Sequence, residues 1–324
     1  MIHRVLRLDK VQGPTSHDVV DRVRRLLHQR RVGHAGTLDP LATGLLLVCA
    51  GQATKIAPLL SDLDKVYQAR VRLGIATDTG DAEGAVCAEA EVPAAIAARL
   101  AAALPRFLGP IQQVPPMASA VKVRGEPLHR LRRAGVHVER PPRTVVVHEI
   151  ELLEVAPPFV DLRIICGKGT YVRTLAADLA AAAGTCGHLA ALRRERIGPF
   201  TLAGAVRSDT LAAADPDQVL SQAGMSLAEA LAYLPAVVLD DDAAYAVRHG
   251  VLPRWEDIRA VGGTLGRGDQ ARLQGPDGEL VAVVVASEPL DTERLGRAGG
   301  GDVPPPAGPA PLRFRRVLVG RTGG

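Results

Sequence analysis

The sequence predicts an α+β fold followed by a smaller, β-rich C-terminal part. A segment of period-two alternation (65–73) and two further strand-like segments (143–154 and 159–166) are interspersed with helical patterns (17–29, 94–104 and 171–183), as in a sheet with helices laid against it. Beyond Pro235 the pattern turns strand-like, with runs at 236–239, 271–274 and 279–286, the last two joined by Pro276-Asp277-Gly278. A chain of 324 residues, 47% hydrophobic and 23% charged, is globular and long enough for one large domain or two ordinary ones. A boundary near 235 therefore separates residues 1–235 from 236–324.

Taken in order, residues 4–8 read as a short strand broken by Gly13-Pro14. Thr15 or Ser16 caps a helix over 17–29, in which Val19, Val20, Val23, Leu26 and Leu27 share one face and Asp21, Arg22, Arg24 and Arg25 lie on the solvated side. Residues 31–44 follow, Arg-Val-Gly-His-Ala-Gly-Thr-Leu-Asp-Pro-Leu-Ala-Thr-Gly, and lead into the apolar run 45–50, a buried strand. Residues 53–62 look helical. In the strand 65–73, Tyr67, Ala69, Val71 and Leu73 share the apolar face, where a tyrosine is ordinarily core. The loop 77–84 carries Asp78, Asp81 and Glu83, which lack the ligand spacing of a calcium loop and read as solvated.

Residues 94–104 form an alanine-rich helix, and 109–124 are extended and punctuated by prolines. A short basic helix is expected near 126–134, and Pro141-Pro142 ends the excursion. Gly167-Lys168-Gly169-Thr170 opens the helix 171–183, closed by Gly184. Residues 187–195 read as another helix, carrying Leu192, Arg193 and Arg194. Ser226 caps a helix over 226–234. A Gly/Pro-rich loop (298–311) precedes a last strand, 312–319, that alternates apolar and basic residues.

The net charge is +4 and the pI about 9.0, compatible with nucleic acid without requiring it. Only five of the 39 basic residues are lysines (10, 55, 65, 122 and 168). Arginine grips phosphate bidentately and stacks on bases, although a GC-rich genome produces the same bias. The four cysteines form no C-x-x-C pair, which points away from a zinc site or disulfide framework and toward a reduced compartment. No signal peptide and no membrane-length apolar run is present, so a soluble, cytoplasmic protein is expected.

Residues 31–44 concentrate the polar chemistry. Three glycines permit close approach of another chain, and Pro40 biases Asp39 toward an extended conformation. Local chemistry alone reads this stretch first as a tight surface turn. Gly167-Lys168-Gly169-Thr170 lacks the spacing of a nucleotide-binding P-loop, but it places Arg173 in the first turn of a helix, where it could partner a buried carboxylate. No Ser-His-Asp or Cys-His set stands out, and Pro40 and Leu41 after Asp39 exclude the DxD pattern of aspartate phosphohydrolases. A carboxylate held by an arginine with a tyrosine nearby fits chemistry at a glycosidic centre.

Residues 32–44 closely resemble the catalytic motif of the bacterial tRNA pseudouridine synthase B family. Asp9-Lys10 with Gly13-Pro14-Thr15-Ser16-His17-Asp18, Ala53-Thr54-Lys55, Lys65-Val66-Tyr67, 77–84, Ser119-Ala120-Val121-Lys122, 166–173 and 188–194 are similar to further motifs of that family, in its order, over about residues 5–210. Ala35 and Val11 depart from the residues common there, Thr and Pro, without touching the proposed chemistry. The resemblance implies a pseudouridine synthase fold, with a mixed, largely antiparallel central sheet flanked by helices. It implies isomerisation of uridine 55 in the T arm of tRNA, and assistance to tRNA folding as a second activity. No cofactor and no metal is implied. Asp39 would be the catalytic carboxylate, and attack on the sugar, attack on the base and a glycal route all fit it. Arg173 would hold Asp39 ionised. Tyr67 would stack on the flipped uracil, and Tyr171 and Leu192 would line its pocket. His34 would occupy space beside the extruded nucleotide, and Lys55 would sit near the site or the phosphates. Residues 109–142 would be an RNA-clamping insertion. Residues 236–324 would be a small PUA-like domain that binds the acceptor end. A monomer is the default expectation. Two other readings are a tRNA-folding helper without catalysis and a metal-free hydrolase of a nucleoside bond.

Overall fold

The structure, a computed structural model, describes residues 1–117, 122–123, 126–127, 138–290 and 309–318. The strands of the first part are β1 (Arg4–Lys10), β2 (Val32–His34), β3 (Thr43–Ala50), β4 (Lys65–Leu73), β5 (Ile75–Thr77), β6 (Val86–Glu89), β7 (Gly109–Gln113), β8 (Lys122–Val123), β9 (Glu126–Pro127), β10 (Arg143–Ala156), β11 (Phe159–Cys166), β12 (Gly187–Ile197), β13 (Phe200–Thr201), β14 (Val206–Arg207) and β15 (Gly224–Met225). Eleven of these make one mixed sheet with the path β14-β1-β3-β12-β4-β11-β10-β7. Only β1–β14 and β3–β12 pair in parallel. β5 and β6 form a small hairpin, as do β8 and β9.

The helices α1 (Ser16–Leu26), α2 (Ala57–Asp62), α3 (Ile96–Ala103) and α4 (Val172–Ala182) cover this sheet. α1 begins in a capping box: the Asp18 N–H donates to Thr15 Oγ1 at 3.1 Å, and the Thr15 N–H donates to Asp18 Oδ2 at 2.8 Å. Its Val19, Val20 and Val23 pack into the same core as Leu175, Ala176 and Leu179 of α4. β3 is buried on both faces. Leu46 and Val48 join that core, while Leu45, Leu47 and Cys49 meet Ile56 and Leu60 on the other side. This double burial explains an uninterrupted apolar run where a half-exposed strand would alternate. β4 does alternate, with Gln68, Arg70 and Arg72 exposed between buried Tyr67, Ala69, Val71 and Leu73.

Residues 187–195, expected to be helical, are instead the central strand β12, between β3 and β4. The register against β4 slips between Leu189 and Ala191 and again between Arg194 and Arg196. Each slip inserts a residue, so several buried positions fall three apart (Leu189 and Leu192, Arg194 and Ile197) and imitate a helical face. The basic helix expected near 126–134 begins, at 126–127, as the strand β9; residues 128–134 lie outside the described residues, as do 118–121 and 298–308.

A second sheet holds β16 (Ala236–Leu239), β17 (Ile258–Val261), β18 (Gln270–Gln274), β19 (Leu280–Ala286) and β20 (Leu312–Val317), in the order β17-β16-β18-β19-β20. The helix Asp241–Arg248, capped by Asp240, and the strand β17 were not anticipated. Leu280, Val283 and Leu318 pack against the α2 side of the large sheet. Among the described residues no helix is long and apolar enough to cross a membrane.

Gly44, at the start of β3, has φ +98°, and a Cβ there would collide with the backbone oxygen of Arg194. Gly36, with φ +104°, would meet nothing closer than the end of the Arg194 side chain at 3.7 Å. Gly44→Ala is therefore expected to destabilise the fold by roughly 2–4 kcal/mol, and Gly36→Ala by only about 1–2 kcal/mol. Urea unfolding of the two variants measures the difference, and equal destabilisation would contradict the close approach of β12 to β3.

Candidate active site

The loop between β2 and β3 is held by buried groups from three other elements. Lys10, fully buried at the end of β1, donates to the carbonyls of Pro40 (3.1 Å), Ala42 (2.6 Å) and Val11 (3.1 Å). Ser16 Oγ exchanges hydrogen bonds with both backbone groups of Leu38, at 2.8 and 2.9 Å. Arg194, 1% exposed on β12, donates to the carbonyls of Leu45 (2.7 Å), Gly36 (3.0 Å) and Thr37 (3.4 Å). These bonds satisfy both the buried cations and the carbonyls of an irregular segment. They also fix the backbone on either side of Asp39. Burial pushes the Lys10 ammonium down to about 8.

The Asp39 carboxylate faces Arg173 at the start of α4. Arg173 Nε lies 2.9 Å from Asp39 Oδ2, and Nη2 donates to Oδ1 at 3.2 Å. The guanidinium is 3% exposed and also reaches the Thr79 carbonyl (3.0 Å) and Asp81 Oδ2 (3.3 Å). Asp81, expected to be solvated, is instead buried. Its carboxylate accepts from Thr79 Oγ1 at 2.6 Å and from the Glu83 N–H at 3.1 Å. Backbone bonds between Gly80, Ala82 and Leu189 dock this loop on the first irregularity of β12. One arginine thus serves two carboxylates. Burial raises the Asp39 pKa above its ordinary value; Arg173 opposes the rise and the Asp81 charge adds to it. The net direction is opposite to what a simple Asp–Arg pair implies.

Asp39 and Arg173 open on a cavity of about 540 Å³, lined also by Tyr67, Tyr171 and Leu192, with Lys65 farther along the wall. Tyr67 is 8% exposed, and burial raises its phenol, so the hydroxyl stays protonated near neutrality. Lys65 Nζ donates to the Ser61 carbonyl at 2.5 Å, and burial lowers its ammonium to about 8. A larger cavity of about 770 Å³ lies between the two sheets, but its Arg248 is already paired with Glu279 at 2.9 Å.

Five of the expected site residues therefore converge: Asp39, Tyr67, Tyr171, Arg173 and Leu192. His34 is not among the residues lining this cavity. It stands edge-on to His17, with ring centroids 5.5 Å apart, and burial, helped by His17 and Arg194, lowers it to about 4, leaving a neutral ring at physiological pH. Lys55 is also elsewhere. Its Nζ donates to the Val317 carbonyl at 3.1 Å, beside Arg31, Arg315 and Arg316 in a cavity between the two sheets. Lys10, Gln113 and Arg194 went unassigned in the sequence, Ser16 was read only as a possible helix cap, and Asp81 only as a solvated acid. Lys10, Ser16, Asp81 and Arg194 stand in motifs shared with the family, which signalled importance without these roles. Among the described residues no group of three or more His, Cys, Asp or Glu could hold a metal ion.

A buried arginine–carboxylate pair opens on a tyrosine-lined cavity set on this mixed sheet, and family matches along the chain give its class, the pseudouridine synthases. The chain belongs to the TruB family: residues 24–172 match the family's pseudouridylate synthase N-terminal domain, and 173–244 match the tRNA pseudouridylate synthase B C-terminal domain. It is 46% identical over 252 residues to the tRNA pseudouridine synthase B of Pseudomonas paraeruginosa, covering 77% of this chain and 83% of that one. It is 45% identical over 293 residues to that of Burkholderia mallei, covering 90% and 96%. Among solved structures it resembles a Cbf5-Nop10-Gar1 complex (TM-score 0.71, 28% identity, 97% of this chain and 84% of the other). It also resembles an H/ACA RNP bound to a substrate RNA containing 2′-deoxyuridine (TM-score 0.72, 26% identity, 98% and 86%). Both structures are matched along nearly the whole chain.

The raised Asp39 makes a pH prediction. If turnover needs the ionised carboxylate, the rate falls as pH falls through a pKa above the ordinary value of about 3.9. Asp81→Asn removes the like charge and leaves Arg173 to Asp39 alone, so the acid limb should move to lower pH. Single-turnover rates against pH measure this, and an unmoved or raised limb would refute the three-residue charge balance.

Proposed function

We propose that the protein converts uridine 55 in the T arm of tRNA to pseudouridine, using Asp39 as the essential carboxylate. The observation that carries this reading is the fixed Asp39–Arg173 pair facing a cavity lined by Tyr67, Tyr171 and Leu192. The relatives named tRNA pseudouridine synthase B support tRNA as the substrate. A cavity of this size admits one extruded nucleotide and no paired segment, so the target base must leave its stack. Uracil would lie on the Tyr67 ring, an interaction worth about 1–3 kcal/mol for a stacked base. His34, neutral and lacking a hydrogen-bond partner for Nδ1 among the described residues, suits the space left beside the nucleotide better than a phosphate site.

In the reaction the N1–C1′ bond breaks, the uracil turns within the cavity, and a C5–C1′ bond forms. The proton on C5 is lost, and N1 carries one in the product. Asp39 acts in its ionised form at the reacting centre, and Arg173 orients it. Arg31, Lys55 and Arg316 line the cavity between the sheets and have no carboxylate partner among the described residues, which suits RNA phosphates. The PUA-like sheet would reach the acceptor end, and residues 109–142 would clamp the RNA. A monomer in the cytoplasm and help with tRNA folding complete the proposal.

Incubation with unmodified tRNA transcript should yield pseudouridine at position 55. Free uracil would favour a hydrolase, and tight binding without pseudouridine would favour a folding helper. Asp39→Asn is expected to abolish turnover while tRNA affinity stays nearly unchanged; appreciable activity in that variant would sink the assigned role. Affinity should weaken steeply with salt, and Arg31→Glu with Arg316→Glu should reduce the slope of log K against log salt by about 1 for each phosphate that is no longer neutralised. A filter-binding series at increasing salt reads this, and an unaltered slope would remove the cavity between the sheets from the RNA path.

A further inference from the structure

Tyr171 and Arg173 sit on the Gly-rich turn into α4, and Tyr171 is the N-cap residue without a side-chain cap bond. Its carbonyl already accepts the first helical bond, from the Leu175 N–H at 3.0 Å. Its own N–H has one acceptor among the described residues, and that acceptor comes from a distant strand. Gln113, the last residue of β7 and 2% exposed, accepts the Tyr171 N–H through Oε1 at 2.8 Å and donates through Nε2 to the Tyr171 carbonyl at 3.0 Å. One side-chain amide thus pairs with both backbone groups of one residue, as a neighbouring strand would. Gln113 is itself held in register opposite Arg143 of β10, and Arg143 lines the Asp39 cavity.

We propose that Gln113 is a positioning residue for the isomerisation: its amide sets the backbone of Tyr171, and through it the Tyr171 ring in the cavity and the Arg173 fork on Asp39. Gln113 does not line the cavity and touches no reacting atom. A primary amide is the group this position requires, because it must accept and donate at once. Arg173 lies two residues along from the clamp and opposes the burial-driven rise of Asp39, so a loosened clamp weakens that opposition. An error in side-chain placement of about 1 Å costs on the order of 100-fold in rate.

This inference rests on the isomerase reading above. The test uses the full-length chain with Gln113→Met, which keeps the volume and removes both bonds, and Gln113→Glu, which keeps an acceptor for the Tyr171 N–H and removes the donor to its carbonyl. With tRNA transcript, Gln113→Met should lower kcat roughly 10- to 100-fold with little change in KM, and the acid limb of its rate profile should move to higher pH. Gln113→Glu should be impaired less. Hydrogen exchange at the Tyr171 amide should accelerate in Gln113→Met with no RNA present, which reads the clamp even if the wild-type protein made no pseudouridine. If Gln113→Met fails to fold, the kcat and acid limb of Gln113→Glu decide. Unchanged kcat and acid limb in the folded variants would overturn the proposal, as would a rise in KM with kcat intact, which marks direct RNA binding by Gln113.

Discussion

The site depends on one guanidinium shared between two carboxylates. Arg173 is almost wholly buried, and a buried cation is tolerated only with close acceptors around it. Asp39, Asp81 and the Thr79 carbonyl supply them. The stoichiometry leaves Asp39 only partly compensated, so the protein holds a carboxylate that resists ionisation beside a cation that favours it. Such a group is more basic than a solvated aspartate. A folded-state pKa above the unfolded value also means that charging Asp39 disfavours the fold as pH rises, a cost in stability located at the site of chemistry.

Around this pair the molecule is built to keep an irregular loop still. The segment 36–42 makes little regular structure of its own, and its carbonyls would be costly to bury unpaired. Lys10, Ser16 and Arg194 meet them from a strand, a helix and a second strand. Each of these side chains would itself be costly to bury without the loop, so the loop and its cage stabilise one another. Gln113 does the same for the opposite wall of the cavity. Asp39 and Arg173 are thus each set by groups outside their own segments, which is what a pair needing sub-ångström placement requires.

Much of the frame was legible because burial on one face leaves a period in the sequence. The alternation from Tyr67 to Leu73 matched β4, the apolar run after Gly44 marked the doubly buried β3, and Thr15 was one of the two residues expected to cap α1. β12 was misread for the same reason: two inserted residues turned a period of two into spacings of three. Asp81 looked like one of several solvated acids, since nothing in its own segment shows that an arginine 92 positions along the chain will face it. Lys55 stood in a family-like motif near the catalytic loop in sequence, yet the fold turns it toward β20.

By itself, then, the sequence determined the alternation of strands and helices, the family resemblance, and the small set of residues able to carry the chemistry, because periodicity and motif are properties of neighbours along the chain. Only the tertiary structure decided which carboxylates share Arg173, which cations disappear beneath the Asp39 loop, and which way the Asp39 pKa moves. Those depend on distances and desolvation between segments far apart in the chain, and such quantities come into being only when the sheet brings the segments together.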